Sequence, residues 1–324
     1  MEKGRNYYET LSSEACYRSF RRTMIVSASR RTDIPAFFFD WFCRRIRDGF
    51  ADVINPFNRN QVSRISLRPD VVDCIVFWTK DPAPMLGRLS ELDDYRYYVQ
   101  ISITPYGKDV ETNLRPKEDI IKTVQELSSR LGRERVVWRY DPILLNDCYT
   151  IKSHLAWFGQ SIAALAPYTE RCVISFIDLY AKTRKNTQGL NLYELSEDEM
   201  HELAAGMSRI AKGSGVTLQT CSEVIGLEEY GIEHGACIDG KLIERITGKP
   251  VKAGKAKSQR PLCNCVESFD IGQYDTCIHG CRYCYANAGM EKARQGFDGH
   301  NPFETVITGR LTGDEKITVH EESL

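Results

Sequence analysis

Met24-Ile25-Val26-Ser27-Ala28-Ser29-Arg30-Arg31-Thr32-Asp33-Ile34-Pro35 sets the pattern that the rest of the chain repeats. Residues 24–28 are a short, almost wholly apolar run suited to a buried strand, and the polar stretch after it ends in a helix start. Asp33 is placed to cap that helix and Pro35 suits its first turn; residues 37–49 then keep helical spacing up to the glycine stop at Gly49.

Further strand-like runs follow at residues 51–56, 71–78, 97–104, 135–140, 171–177 and 216–221. Helical segments at residues 117–131, 154–165 and 196–212 separate the later ones. Strands alternating with helices predict a parallel sheet covered by helices, an α/β fold of the TIM-like (β/α) barrel type. Seven such strands fall one short of a barrel, and residues 266–271 supply the eighth if they insert between the seventh and the first. The expected organisation is therefore a lead-in over residues 1–23, a barrel over 24–262, and a cysteine-rich segment over 263–324 that completes the barrel and adds a tail. Within that tail residues 305–307 and 316–319 read as a small hairpin.

Immediately after the eighth run comes Cys277-Ile278-His279-Gly280-Cys281-Arg282-Tyr283-Cys284-Tyr285-Ala286-Asn287, and residues 286–295 have the composition of a helix. Three thiols at C-x3-C-x2-C spacing can meet on one inorganic cluster and leave one position without a protein ligand. A structural zinc site is closed by four protein ligands and a ferredoxin-type cluster by four thiolates. Three cysteines in one tight loop thus suggest a [4Fe-4S] cluster with one iron free. The competing reading is a zinc or ferredoxin-like site that borrows a fourth cysteine from elsewhere, Cys265 for example.

This loop resembles that of radical SAM enzymes, most closely the branch containing spore photoproduct lyase. The resemblance implies that Cys277, Cys281 and Cys284 hold the cluster and that S-adenosylmethionine chelates the open iron. Reduction would then yield a 5′-deoxyadenosyl radical acting on a small-molecule substrate, with a reducing partner such as flavodoxin or ferredoxin. In that family the loop comes early in the chain, so its late position here implies either a circularly permuted barrel or a resemblance confined to the loop. The chain also resembles a bacterial family known only as a domain of unknown function, with the same opening at residues 27–35 and the same cysteine-rich end.

In a barrel of this kind the chemistry lies at the C-terminal ends of the strands. That rule selects Ser27, Ser29, Arg30, Arg31, Asp33, Asn55, Thr79, Lys80, Ser102, Thr104, Arg139, Asp141, Ser175, Asp178, Thr220 and Glu223. A bound methionine carboxylate wants a guanidinium fork and a hydroxyl, which makes Arg30, Arg31 and Arg139, with Ser175, the candidates for holding the cofactor. The bland alternative pairs each arginine with a neighbouring carboxylate such as Asp33 or Asp141. No glycine-glycine-glutamate motif follows a strand.

A second set, Cys221, Cys237, Cys263 and Cys265, has four thiols from separate regions that suit an auxiliary Fe-S cluster or a zinc. Alternatively Cys221 is a buried apolar residue and Cys263 and Cys265 assist the first loop. Cys16, Cys43, Cys74, Cys148 and Cys172 are isolated and are expected to pack in the core. His234 and His279 flank the cysteines as candidate ligands, proton donors or second-sphere residues. Residues 249–260 carry five basic side chains among small residues, a solvated linker or a loop that steers anions.

Composition bounds the rest. The chain has 324 residues, twelve cysteines and a formal charge of −1, so no basic footprint for nucleic acid exists in the overall charge. The likeness to spore photoproduct lyase, and a basic stretch at 249–260 able to steer a phosphate backbone, bring a nucleic-acid partner into view. Abundant cysteine without an apolar leader predicts a reducing, cytoplasmic setting. No run approaches the roughly 20 apolar residues needed to cross a bilayer, so no membrane partner is expected. Two functional classes remain: a radical SAM-like enzyme, or a metalloprotein with a closed zinc or electron-transfer module on a TIM-like barrel.

Overall fold

The computed structural model describes residues 22–257, 260 and 262–321. Cys16 and almost all of the lead-in expected at 1–23 lie outside them. Strand β1 (Ile25–Ala28) is buried along its whole length. It runs parallel to β4 (Cys74–Thr79) on one side, with Ile25 opposite Cys74, and to β10 (Phe269–Asp270) on the other, with Ser27 opposite Asp270. Beyond β4 come β5 (Tyr97–Ser102), β6 (Val136–Ile143), β7 (Arg171–Phe176), β8 (Thr217–Thr220) and β9 (Glu233–His234). All pairings are parallel, in the order β10-β1-β4-β5-β6-β7-β8-β9.

Both faces of this sheet are covered, which is why its strands read as continuous apolar runs rather than alternating ones. On one face Val26, Phe77, Val99, Trp138 and Ile174 pack with the helices in the main core. On the other, Ile25, Val76, Tyr98, Val137 and Val173 meet Ile238, Leu242, Ile243 and the cysteines 237, 263 and 265. The outermost strands β9 and β10 are not paired with each other; the segments beside them meet where Val266 N–H donates to Ile238 O at 3.1 Å.

Local signals explain the helices. Asp33 Oδ1 accepts from Ala36 N at 2.9 Å and caps α1 (Ile34–Phe37), with Pro35 in its first turn. Helix α2 (Phe39–Asp48) stops at Gly49, whose φ is 83°. After α3 (Ala83–Leu86), α4 (Lys117–Leu131) occupies the expected span, and α5 (Ile151–Leu165) begins slightly earlier than its spacing suggests because Thr150 and Ser153 form a capping box. Helix α6 (Ala181–Asn186) precedes α7 (Glu197–Ala211), which opens on a capping box of Ser196 and Glu199. Asp239 caps α8 (Gly240–Thr247), and α9 (Met290–Asp298) follows the cysteine loop, starting later than expected.

Three expectations need correction. Residues 51–56 do form a strand, β2 (Phe50–Asn55), but it pairs antiparallel with β3 (Asn58–Ser66) in a separate three-stranded sheet. The two are joined by a tight turn, and a parallel neighbour would need a crossover of about a dozen residues or more. Asn55 therefore sits at a hairpin end, bonded to Gln61, rather than with the site residues. The third strand of that sheet, β11 (Lys316–His320), lies parallel to β3, so the expected hairpin with residues 305–307 does not form. In the large sheet the strand sequence analysis missed is β9. The eighth run does join β1 as β10, while β8 is bordered by β9 instead.

Candidate functional site

The chain leaves β10 at Asp270 and carries the cysteine loop across the C-terminal ends of the strands. Asp270 makes the anchor: Oδ2 accepts from Ser27 Oγ (2.6 Å) and Arg30 N (2.8 Å), and Oδ1 from Gly272 N (3.0 Å). The loop is then stitched to the segment after β5. Asn113 N donates to His279 O (2.9 Å), Arg282 N to Val110 O (2.9 Å), and Glu111 bridges Cys281 as a short antiparallel pair. Gly280 makes this contact possible, since its φ is 74° and a Cβ there would lie 3.1 Å from Thr112 Cβ. Asn287 Nδ2 closes the loop on Cys277 O at 2.7 Å.

Beneath the loop lies a charged knot. The Glu111 carboxylate is 1% exposed and accepts from Lys80 Nζ (2.6 Å), Thr104 Oγ1 (2.9 Å), Lys117 Nζ and Tyr283 OH. Burial alone would raise its pKa, but the two ammoniums overrule it and hold the carboxyl at about 2. Burial likewise works against Lys80, and Glu111's attraction leaves its pKa above the usual value. For Lys117 burial prevails over that attraction, and Lys80's like charge adds to it, so its pKa is depressed. Asp33 forms a second tie: its Oδ2 accepts from Lys80 N (2.7 Å) and lies 2.8 Å from His279 Nε2.

Cys277, Cys281 and Cys284 are free and half-buried. Desolvation pushes all three thiols up, Cys281 to about 12, while Lys80 pulls Cys281 and Cys284 the other way. Cys277 is raised further by Asp33 and by the other two cysteines, so the three sulfurs lie within electrostatic reach of one another. Uncharged at neutral pH by themselves, such thiols ionise when a cation joins them. Three soft donors on one pinned loop therefore fit a metal-sulfur cluster. Among the described residues no group of three or more His, Cys, Asp or Glu side chains is arranged around a single metal ion.

The candidate cofactor residues fall in two places. Arg30 and Arg31 reach Asp270 at 3.8 Å each and lie over the rings of Trp78 and Tyr274. Arg139 is bound to Asp141, to Gln100 Oε1 (3.0 Å) and to Cys237 Sγ (3.0 Å), and Ser175 Oγ donates to the same Asp141. Each arginine thus has a carboxylate of its own chain. Near them burial lifts the Glu223 carboxyl to about 8, and Asp178 pairs with Arg260 at 2.6 Å.

The second cysteine set is gathered on the sheet face that carries Ile25, Val76 and Tyr98. Cys221 Sγ and Cys237 Sγ are 3.0 Å apart, Cys237 and Cys263 each contact Cys265, and Ile238 N–H points at Cys265 Sγ at 3.3 Å. Hydrogen bonding from Cys265 draws Cys263 down to about 6. Cys263 and Cys265 thus sit with Cys237. Of the cysteines expected in the core, Cys43, Cys74 and Cys172 are buried, but Cys148 is exposed because it lies in the turn before α5 that Asn146 organises. His234 is bonded to Thr220 Oγ1 at 3.0 Å, away from the cysteine loop's own bonds. Glu111, Lys117 and Asp270 escaped sequence reasoning because none lies in a motif; only the folded loops bring them to the cysteines.

No curated protein matches the chain. Among solved structures, the carboxyl transferase domain from Rhizobium etli pyruvate carboxylase with pyruvate is similar at 10% identity and a TM-score of 0.27, covering 78% of this chain and 49% of that one. The chain spans about half the length of that structure, and the likeness carries no argument for fold or activity. Residues 25–286, from β1 to the end of the cysteine loop, match a family profile, and the chain accordingly belongs to the family described as Domain of unknown function (DUF1848).

Proposed function

We propose that the protein is a radical SAM-like iron-sulfur enzyme, in which Cys277, Cys281 and Cys284 hold a [4Fe-4S] cluster with one iron open to S-adenosylmethionine, on a (β/α) barrel closed between β9 and β10. The observation that carries this reading is the delivery of the three-cysteine loop, by β10 beside β1, to the C-terminal edge of a parallel sheet, followed by α9. Cys265, the expected fourth thiol of a closed site, has its partners in the other cysteine set, which favours an open position. A cluster so held supplies one-electron reducing chemistry to the sulfonium cofactor.

The chain's own residues do the rest. Lys80 and Lys117, against the single charge of Glu111, leave one positive charge beside Cys281, which offsets the negative charge of a thiolate-bound cluster. Tyr283 on Glu111 and His279 on Asp33 fix the loop from both sides. Arg30 and Arg31, over aromatic rings at the rim, offer guanidinium forks to a carboxylate. The substrate is a small molecule, the electron donor a flavodoxin or ferredoxin, and the setting cytoplasmic; among the described residues no helix is long and apolar enough to cross a membrane.

The test is anaerobic reconstitution with iron and sulfide, followed by EPR of the reduced protein. A signal that shifts on adding S-adenosylmethionine and disappears in Cys281→Ala is the expected result. Zinc in place of iron, or a cluster signal indifferent to the cofactor, refutes the proposal in favour of a closed metal module.

A further inference from the structure

The second cysteine set belongs to a region that needs a fastener. Cys221 directly follows β8, Cys237 follows β9, and Cys263 and Cys265 precede β10, so three separate segments contribute the four thiols. Around them the chain has little regular structure: residues 249–268 contain no helix or strand of the large sheet among those described. Yet this stretch packs on the Ile25 and Val76 face of that sheet, and Val266 N–H ties it to Ile238 O beyond β9, where β9 and β10 do not pair.

We infer that Cys221, Cys237, Cys263 and Cys265 form a second, tetrathiolate metal site that cross-links these segments on that face of the sheet. All four are free cysteines, and Cys237, Cys263 and Cys265 are 8% exposed or less. The surroundings are those of a metal-bound thiolate: apolar walls from Ile25, Val76, Tyr98 and Leu242, and N–H donors aimed at sulfur. Arg139 Nη1 lies 3.0 Å from Cys237 Sγ, and Ile238 N–H lies 3.3 Å from Cys265 Sγ. The sulfurs follow one another in a line of contacts, and metal uptake requires turning cysteine side chains about their single χ1 torsion. Four soft thiolates suit a zinc ion or an iron-sulfur cluster alike. The site is separate from the Cys277 loop and does not depend on what that loop holds.

A variant with Cys277→Ser, Cys281→Ser and Cys284→Ser isolates it. This protein, prepared anaerobically, is titrated with cobalt(II), and separately reconstituted with zinc or with iron and sulfide. The expected result is about one cobalt or zinc per chain, with the intense sulfur-to-cobalt charge-transfer bands of tetrahedral tetrathiolate coordination. Uptake of about four irons with sulfide-dependent visible absorption identifies the cluster form instead. Cys237→Ser with Cys265→Ser, in the otherwise native chain, is expected to lose this metal while keeping that of the Cys277 loop. If that double variant does not fold, the cobalt spectrum of the triple variant decides alone. The inference is overturned if the triple variant, shown folded by circular dichroism, binds none of these metals while its four thiols stay titratable. A Cys221–Cys237 disulfide formed under the same anaerobic conditions overturns it too.

Discussion

Replacing Glu111 by glutamine removes the one negative charge that reconciles two buried lysines. The carboxyl's descent from an ordinary 4.5 to about 2 corresponds to about 3 kcal/mol in favour of the folded, ionised form. Removing one partner of a buried ion pair costs about 3–5 kcal/mol, because the remaining charge stays desolvated. The two figures agree, and with an unfolding entropy of about 2.1 cal/mol/K per residue over 324 residues they translate into a fall in melting temperature of about 4–7 °C. The sign of the pH dependence follows: a depressed carboxyl stabilises above its unfolded value near 4.5, and that contribution is lost as pH falls through about 2. Anaerobic thermal unfolding of wild type and Glu111→Gln between pH 2 and 7 reads both effects. Adding Lys117→Met to Glu111→Gln is expected to restore part of the loss, since one unpaired ammonium goes with it. A melting temperature within about 2 °C of wild type, or no recovery in the double variant, refutes the account of Glu111 as the centre of the knot.

Other residues give independent checks. His154 is fully buried, bonded to Leu144 O at 2.9 Å and to Tyr140 OH, and burial holds its pKa at about 4. Stability is therefore expected to fall as pH drops from 6.5 towards 4, and His154→Gln to flatten that part of the profile measured by urea unfolding. Asp270→Asn keeps the shape but turns an amide nitrogen towards the donors Ser27 Oγ and Arg30 N or Gly272 N. The expected loss is about 1–3 kcal/mol, seen as a lower urea midpoint with unchanged slope. At Gly296 in α9 a Cβ would lie 1.9 Å from the backbone oxygen of Asp275, whereas at Gly289 nothing lies within 4 Å. Alanine at an open helical position gains about 1 kcal/mol over glycine, so a loss in Gly296→Ala, with Gly289→Ala near neutral, reports this contact.

Much of the sheet was legible because both its faces are buried, so β1, β4, β5, β6 and β7 read as apolar runs without alternation. Asp33 and Gly49 marked helix ends through side-chain and backbone chemistry that acts within four residues. Strand β9 was invisible because two residues, Glu233 and His234, are too few for any period to register. Strand β2 was visible, but its partner was misjudged, because a run of residues does not reveal the direction of its neighbour. The cysteines announced themselves by spacing, whereas Glu111 and Lys117 lie in or beside an irregular loop, and Asp270 meets Ser27 across 243 positions of sequence.

That last separation has a consequence during synthesis. When β1 leaves the ribosome, β4 can join it soon after, but its other edge must wait for residues 269 and 270. At about 5–20 residues per second this means an interval of roughly 12–50 s with one row of backbone donors and acceptors uncovered. The rim around Arg30 and the cysteine loop therefore come into being together, only after the rest of the large sheet has been made. A nascent chain cut short before Asp270 would carry most of the sheet but neither the anchor nor the thiols, so incomplete products cannot assemble the loop and its surroundings.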